Sequence, residues 1–169
     1  METIRVEATD LTHVPGYHAA LDQVARERRY LAFLEAPPLS DSTSFVQWLR
    51  NGAGLHYVAI TSGNEVVGWC DVVRNSREGF THTGQLGMGV VTPFRRRGIG
   101  RQLVHAAVAG ATAMGLLRVE LEVFRSNAGA VHLYESTGFQ HEGVKRAARV
   151  LDGVSDDVLM MAHIHAPAI

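Results

Sequence analysis

Apolar and polar positions alternate over Ile4, Val6 and Ala8 and predict a short first strand. From Tyr17 to Leu34, Leu21, Val24, Ala25, Tyr30, Leu31 and Leu34 form a helical stripe, which Pro37-Pro38 stops because proline removes a helical donor and crowds the preceding turn. Ser40 to Ser44 offer cap residues for a second short helix carrying Phe45, Trp48 and Leu49, ending near Asn51-Gly52. Leu55 to Ile60 and Val66 to Val73 are β-rich, and the Ser62-Gly63-Asn64 turn between them makes a hairpin. A loop over Arg74 to Gly79 leads into a strand from Thr81 to Val91, with Leu86, Met88 and Val90 on one face. Gly84, Gly87 and Gly89 are poor strand formers and mark a bulge or a close backbone approach.

The second half changes period. Ile99, Leu103, Ala107 and Ala111 recur at i, i+4 in a helix from Ile99 to Met114, ended by Gly115. A strand follows from Leu117 to Phe124, then a short helix from Asn127 to Thr137 with Gly138 after it. Phe139 to Leu151 and Val158 to Ile164 close the chain as strands around the Asp152-Gly153 turn. The order is β-α-α-β-β-β-α-β-α-β-β, which predicts one α/β (α+β) domain with a mixed sheet over residues 1–169.

Composition narrows the class. The 169 residues, 46% of them apolar, suit a single core that needs no staples. Lys and Arg number 16 against 17 Asp and Glu, so the charge surplus of a duplex nucleic-acid binder is absent. The single cysteine, Cys70, excludes an internal disulfide framework and a multi-cysteine metal cage, and fits a reducing compartment. No basic stretch precedes an apolar one at the start, and no apolar run approaches the ~20 residues of a membrane span. A cytoplasmic protein without membrane or nucleic-acid partners is expected.

The strongest chemical signal is Arg95-Arg96-Arg97-Gly98-Ile99-Gly100-Arg101, which leaves a strand and opens a helix. Helix N-termini offer unpaired N–H groups and the positive end of the dipole, so this segment suits a pyrophosphate or another clustered anion. A P-loop would need Lys-Ser or Lys-Thr after its second glycine, and a dinucleotide fingerprint a third glycine where Leu103 stands. An exposed basic turn capping a helix is the bland alternative.

With these motifs the sequence resembles the GNAT superfamily of N-acetyltransferases. That family's acyl-CoA signature is Arg or Gln, two residues, Gly, one residue, then Gly or Ala, met here by Arg95, Gly98 and Gly100. Its second block is matched by Leu121 to Asn127, Leu133-Tyr134-Glu135 and Gly138-Phe139. The resemblance implies a mostly antiparallel sheet whose central strands splay apart. It implies acetyl-CoA as acyl donor, held by backbone amides across Arg96, Arg97, Gly98, Ile99, Gly100 and Arg101. A bulged strand over Met88, Val90 and Val91 would pair with the pantetheine arm, and an amide near Val90 or Val91 would face the developing oxyanion. Asn127 would contact the pantetheine, or cap its helix, or both. Tyr134 would protonate the departing thiolate, or else pack the helix to the sheet. Family members often dimerise, so a homodimer is a possible partner arrangement.

Two residues compete as general base. Glu122 alternates with Leu121 and Val123, and a glutamate at the matching place is the base in the ribosomal-protein-modifying branch of the family; its bland reading is a solvated or paired strand carboxylate. His82 would fall opposite Asp71 if the Arg74–Gly79 loop closes a hairpin centred near Ser76-Arg77, giving an oriented imidazole. Cys70 reads as a small buried hydrophobe rather than an acyl carrier. His163 and His165 share a strand face without a third ligand, so no metal is expected. Tyr30, Phe33, Phe45 and Trp48 line a pocket or, more simply, form core. The expected activity is transfer of an acetyl group from acetyl-CoA to a small-molecule primary amine. A protein N-terminal acetyltransferase, a non-catalytic acyl-CoA sensor and a nucleotide-binding α/β domain are the alternatives.

Overall fold

The computed structural model describes residues 2–165. Its strands are β1 (Ile4–Ala8), β2 (Gly54–Thr61), β3 (Val66–Arg74), β4 (Thr83–Val90), β5 (Arg118–Phe124), β6 (Gln140–Leu151) and β7 (Val154–Ile164). Its helices are α1 (Val14–Arg26), α2 (Leu39–Trp48), α3 (Ile99–Ala113) and α4 (Ala128–Ser136). The predicted element order is thus the observed one. The strands form one seven-stranded sheet in the order β1-β2-β3-β4-β5-β7-β6. Every neighbouring pair is antiparallel except β4 and β5, which run parallel. None of the described helices is long and apolar enough to cross a membrane.

Helices cover both faces. On one, Tyr17 of α1 meets Trp69 of β3 edge-on, with ring centroids 5.7 Å apart. On the other, a Cβ at Gly68 of β3 would lie 3.1 Å from Leu103 of α3, so this glycine lets helix and sheet approach closely. Val58, Val67, Cys70, Val72, Leu103, Val104 and Val119 are fully buried between the layers.

Three expectations need correction. The first helix ends at Arg26 rather than Leu34, because Arg28 takes a left-handed conformation (φ +58). Its guanidinium forks onto Asp152 at the β6–β7 turn (2.8 and 3.1 Å), while Arg149 donates to the carbonyls of Arg28 (2.8 Å) and Arg29 (3.0 Å). Distant partners thereby satisfy polar groups that a continued helix would have paired locally.

The loop after β3 centres on Gly79 (φ +84), not on Ser76-Arg77: Asn75 N–H bonds the Thr83 carbonyl at 3.0 Å. Asp71 consequently faces Gly87, and His82 lies in the turn, exposed.

The expected bulge in β4 is also absent, since β3 and β4 pair in unbroken register from Arg74↔Gly84 to Gly68↔Val90. The glycines of β4 serve packing instead. A Cβ at Gly84 would meet Val72 at 2.6 Å, and one at Gly89 would collide with the Trp69 ring.

Candidate active site

The Arg-Gly segment opens α3 as the sequence indicates. Gly98 is the N-cap and lies at φ +79, a conformation that costs other L-residues free energy. Having no side chain, it leaves the first N–H groups of α3 uncapped. Gly100 has a different role: a Cβ there would sit 2.9 Å from Leu133, so it lets α4 close on α3.

The arginines divide. Arg95 turns inward, bonding Glu27 through both guanidinium nitrogens (2.6 and 2.9 Å) and the Val90 carbonyl through Nε (2.7 Å), with its face 4.8 Å from the Tyr30 ring. Each of its three guanidinium nitrogens thus bonds the protein, where a cofactor contact was expected. Burial opposes the charge on Glu27, but the bonds from Arg95 outweigh it and hold the carboxyl below its usual range. Arg96 and Arg97 are exposed, Arg97 resting on the Phe94 ring at 5.0 Å. Arg101 bonds the Ser136 hydroxyl at 3.0 Å and ties α3 to α4.

Beside this helix end the sheet opens. β4 and β5 pair only over Thr83↔Arg118, Gly84↔Val119 and Gln85↔Glu120, then part, while β5 stays paired to β7 along its length. Val91 N–H bonds the Val67 carbonyl at 3.0 Å, which sets the alternation along β4. Odd residues face β3, and the peptide groups of Leu86, Met88 and Val90 face the gap. The amide of Val91 is therefore engaged, whereas the N–H of Val90 faces the gap. Its carbonyl is held by Arg95.

α4 lines the far wall. Asn127 caps it, its side chain accepting from Ala130 N–H at 3.3 Å. Tyr134 is buried and tilts against Phe139 (5.7 Å between ring centroids). Among the described residues its hydroxyl has no hydrogen-bond partner. Burial, then the proximity of Cys70 and Asp71, raises its pKa.

On the α1/α2 face lies a cavity of about 400 Å³, walled by Leu21, Leu31, Phe33, Phe45, Trp69 and Met88. Phe33 and Phe45 thus line a pocket, whereas Trp48 is largely exposed. Asp71 enters this cavity beside Gly87, where a Cβ would lie 3.5 Å from its carboxylate. Burial pushes its carboxyl up to about 7. The sequence pairs Asp71 only with His82; its further signal is a lone carboxylate flanked by apolar residues from Val66 to Val73.

The two base candidates are placed differently. His82 stands six residues before Met88, about 20 Å away along the strand at ~3.3 Å per residue, at the closed end of β4 and β5. Its expected partner Asp71 is not near it in register. Glu122 is exposed and paired with Lys145. It shares its face with Phe124, which Arg149 covers while bonding the segment after α1, so it looks toward the α1/α2 side. Cys70 is a fully buried free thiol, its pKa raised by burial and by Asp71. The rings of His163 and His165 approach to 3.3 Å between Nδ1 atoms, and His165 also bonds the Leu116 carbonyl.

An uncapped helix end beside a sheet split in this way defines a class. Residues 19–139 match the acetyltransferase (GNAT) family, and the chain belongs to it. The [ribosomal protein bS18]-alanine N-acetyltransferase of Salmonella typhimurium is 36% identical over 69 residues, 41% of this chain and 47% of that one. The chain thus matches about half that relative's length. The L-amino acid N-acetyltransferase AaaT of Escherichia coli is 25% identical over 149 residues, 88% of this chain and 91% of that one. In structure, a GNAT superfamily phosphinothricin acetyltransferase from Sinorhizobium meliloti, in complex with AcCoA, superposes with a TM-score of 0.89 at 15% identity, covering 96% of this chain and 88% of the other.

Proposed function

We propose that residues 1–169 form a single transferase domain that moves an acetyl group from acetyl-CoA to a primary amine of a small molecule, by direct attack within a ternary complex. The observation that carries this reading is the juxtaposition of three features: the glycine-capped N-terminus of α3, the gap between β4 and β5, and the buried Tyr134 side chain on α4.

Each part has a task. The open N–H groups of α3, with Arg96, Arg97 and Arg101 around them, hold the pyrophosphate. The peptide group of Met88 bonds the pantetheine arm as an added strand would, and Asn127 keeps its amide NH₂ for the same arm. The Val90 N–H faces the oxygen of the acyl carbonyl as negative charge develops on it. Tyr134 gives its proton to the leaving sulfur. A phenol whose pKa is raised holds that proton until a strong base appears beside it, and a departing thiolate is such a base. Arg95 acts indirectly, clamping the segment after α1 to the end of β4. A reducing, cytoplasmic setting suits the buried free Cys70.

Thiol release from acetyl-CoA across a panel of amines tests the reading. Turnover is expected with at least one small amine. Tyr134→Phe is expected to lower kcat by about 100-fold or more, with acetyl-CoA affinity changed less than about twofold. Affinity without turnover on any amine would mark a sensor, and loss of both would end the assignment.

A further inference from the structure

Resting on the transferase reading, we propose that the cavity between α1, α2 and the β3–β4 pair selects a primary amine carried on an apolar, otherwise uncharged body, with Asp71 seating its ammonium group. The argument begins with what the walls lack. Among the described residues, no Arg, Lys or His lines the cavity. Its polar members are Asp71 at the sheet, the Tyr17 phenol, Asp41 at the α2 rim and Ser42, whose buried Oγ has no hydrogen-bond partner.

Nearby basic groups are turned to other work. His18 bonds the Pro37 carbonyl at 2.8 Å, Lys145 pairs with Glu122, and Arg95 pairs with Glu27. His56 lies behind Tyr17, with ring centroids 4.4 Å apart, and burial pushes its pKa down to about 3, so it is neutral.

An amine that also bears a carboxylate or phosphonate would bring a second negative charge beside Asp71, with no cation to meet it. Burying an unpaired charge is among the most costly things a site can do. A lone ammonium meets the opposite sign, and the rest of an apolar molecule exchanges water for Leu21, Leu31, Phe45 and Trp69. The unpaired Ser42 hydroxyl adds one neutral hydrogen bond. A polyamine would have to bury further ammonium groups in walls whose only other carboxylate, among the described residues, is Asp41 at the rim.

The same carboxylate handles the first proton. An ammonium N–H bond breaks, the proton passes to an Asp71 oxygen and on to solvent, and the freed lone pair forms the N–C bond to the acyl carbon. The C–S bond breaks, sulfur takes the Tyr134 proton, and the second proton shed by nitrogen restores the phenol. The groups facing Asp71 leave it free to act. Tyr17 from α1 and Tyr134 from α4 are raised by burial, and adjacent Cys70 is raised as well, so all three stay protonated near neutrality. Asp41 stands at the rim.

Steady-state kinetics on the full chain with saturating acetyl-CoA would compare 2-phenylethylamine, phenylalanine, spermidine and a short peptide with N-terminal alanine. The kcat/KM for phenylethylamine is expected to exceed that for phenylalanine by about 100-fold or more. Phe33→Arg changes an exposed rim position, 58% accessible, without touching the core. It should raise the value for phenylalanine about tenfold and lower it for phenylethylamine. Calorimetry with CoA present should show phenylethylamine binding at least about 30-fold weaker in Asp71→Asn, a variant whose melting curve verifies its fold.

Equal or better turnover of phenylalanine, spermidine or the peptide would overturn the inference, as would undiminished amine affinity in Asp71→Asn. Either result leaves acetyl-CoA binding, and with it the transferase reading, standing. Failure to bind acetyl-CoA would remove both.

Discussion

Asp71 carries a thermodynamic penalty that can be measured. Its carboxyl ionises near 3.8 in a solvated chain but only near 7 in the fold, because burial disfavours the charge. Between those values the native state binds the extra proton, so stability falls as pH rises through this window. The penalty is complete above pH 7 and amounts to about 4 kcal/mol at most. Asp71→Asn should therefore raise the melting temperature at pH 8, with the advantage shrinking toward pH 4, as followed by circular dichroism. In the native enzyme the same group predicts a kcat/KM that rises through about pH 7, since only the carboxylate accepts a proton. Motif spacing alone was enough to single out Tyr134 and Asn127 as candidates. It could not reveal Asp71, whose pKa depends on walls contributed by α1 and α2, far away in sequence.

At the scale of elements, the Arg-Gly turn shows how one motif divides its labour. Arg95 and Glu27 are each about a quarter exposed and doubly bonded, so cutting the pair strands a half-buried carboxylate. Arg95→Ala should lower stability by about 1–3 kcal/mol in chemical denaturation. Arg97→Ala touches only the Phe94 face. It should leave stability within about 0.5 kcal/mol and weaken acetyl-CoA binding several-fold, more at low salt than at high. The reverse pattern would show that Arg95, not Arg97, faces the phosphates. Strand and helix positions were legible wherever the hydrophobic period was strong, as in α3 and β5. The end of α1 was not legible, because the stripe through Tyr30, Leu31 and Leu34 continues in the sequence while Arg28 and Arg149 commit that stretch to the β6–β7 turn. Hairpin register failed for a related reason: nothing local distinguishes a turn centred on Gly79 from one two or three residues earlier.

For the whole molecule, a ligand that spans the α3 end and the β4–β5 gap should tie the two halves of the sheet together, since direct pairing there covers only Thr83 to Gln85. Acetyl-CoA at about 100 times its dissociation constant should add ~2.7 kcal/mol of stability and raise the melting temperature by roughly 5–10 °C. NAD and ATP at equal concentration should shift it by less than about 1 °C, because neither can supply the extended arm that the exposed β4 peptide groups await. Comparable shifts from all three would point to a generic nucleotide fold.

The amino-acid sequence alone determined the order of elements, the class of fold and the place of the glycine-capped turn that opens α3. Each of these is written in short-range terms: a hydrophobic period, a glycine that permits a left-handed cap, and fixed spacing along one helix. Tertiary structure decided which residues meet. It turned Arg95 toward Glu27, moved His82 to the closed end of the sheet, and set Asp71 in an apolar cavity. Those outcomes depend on register and on burial by distant segments, and burial is what raises a carboxylate's pKa above that of a solvated one.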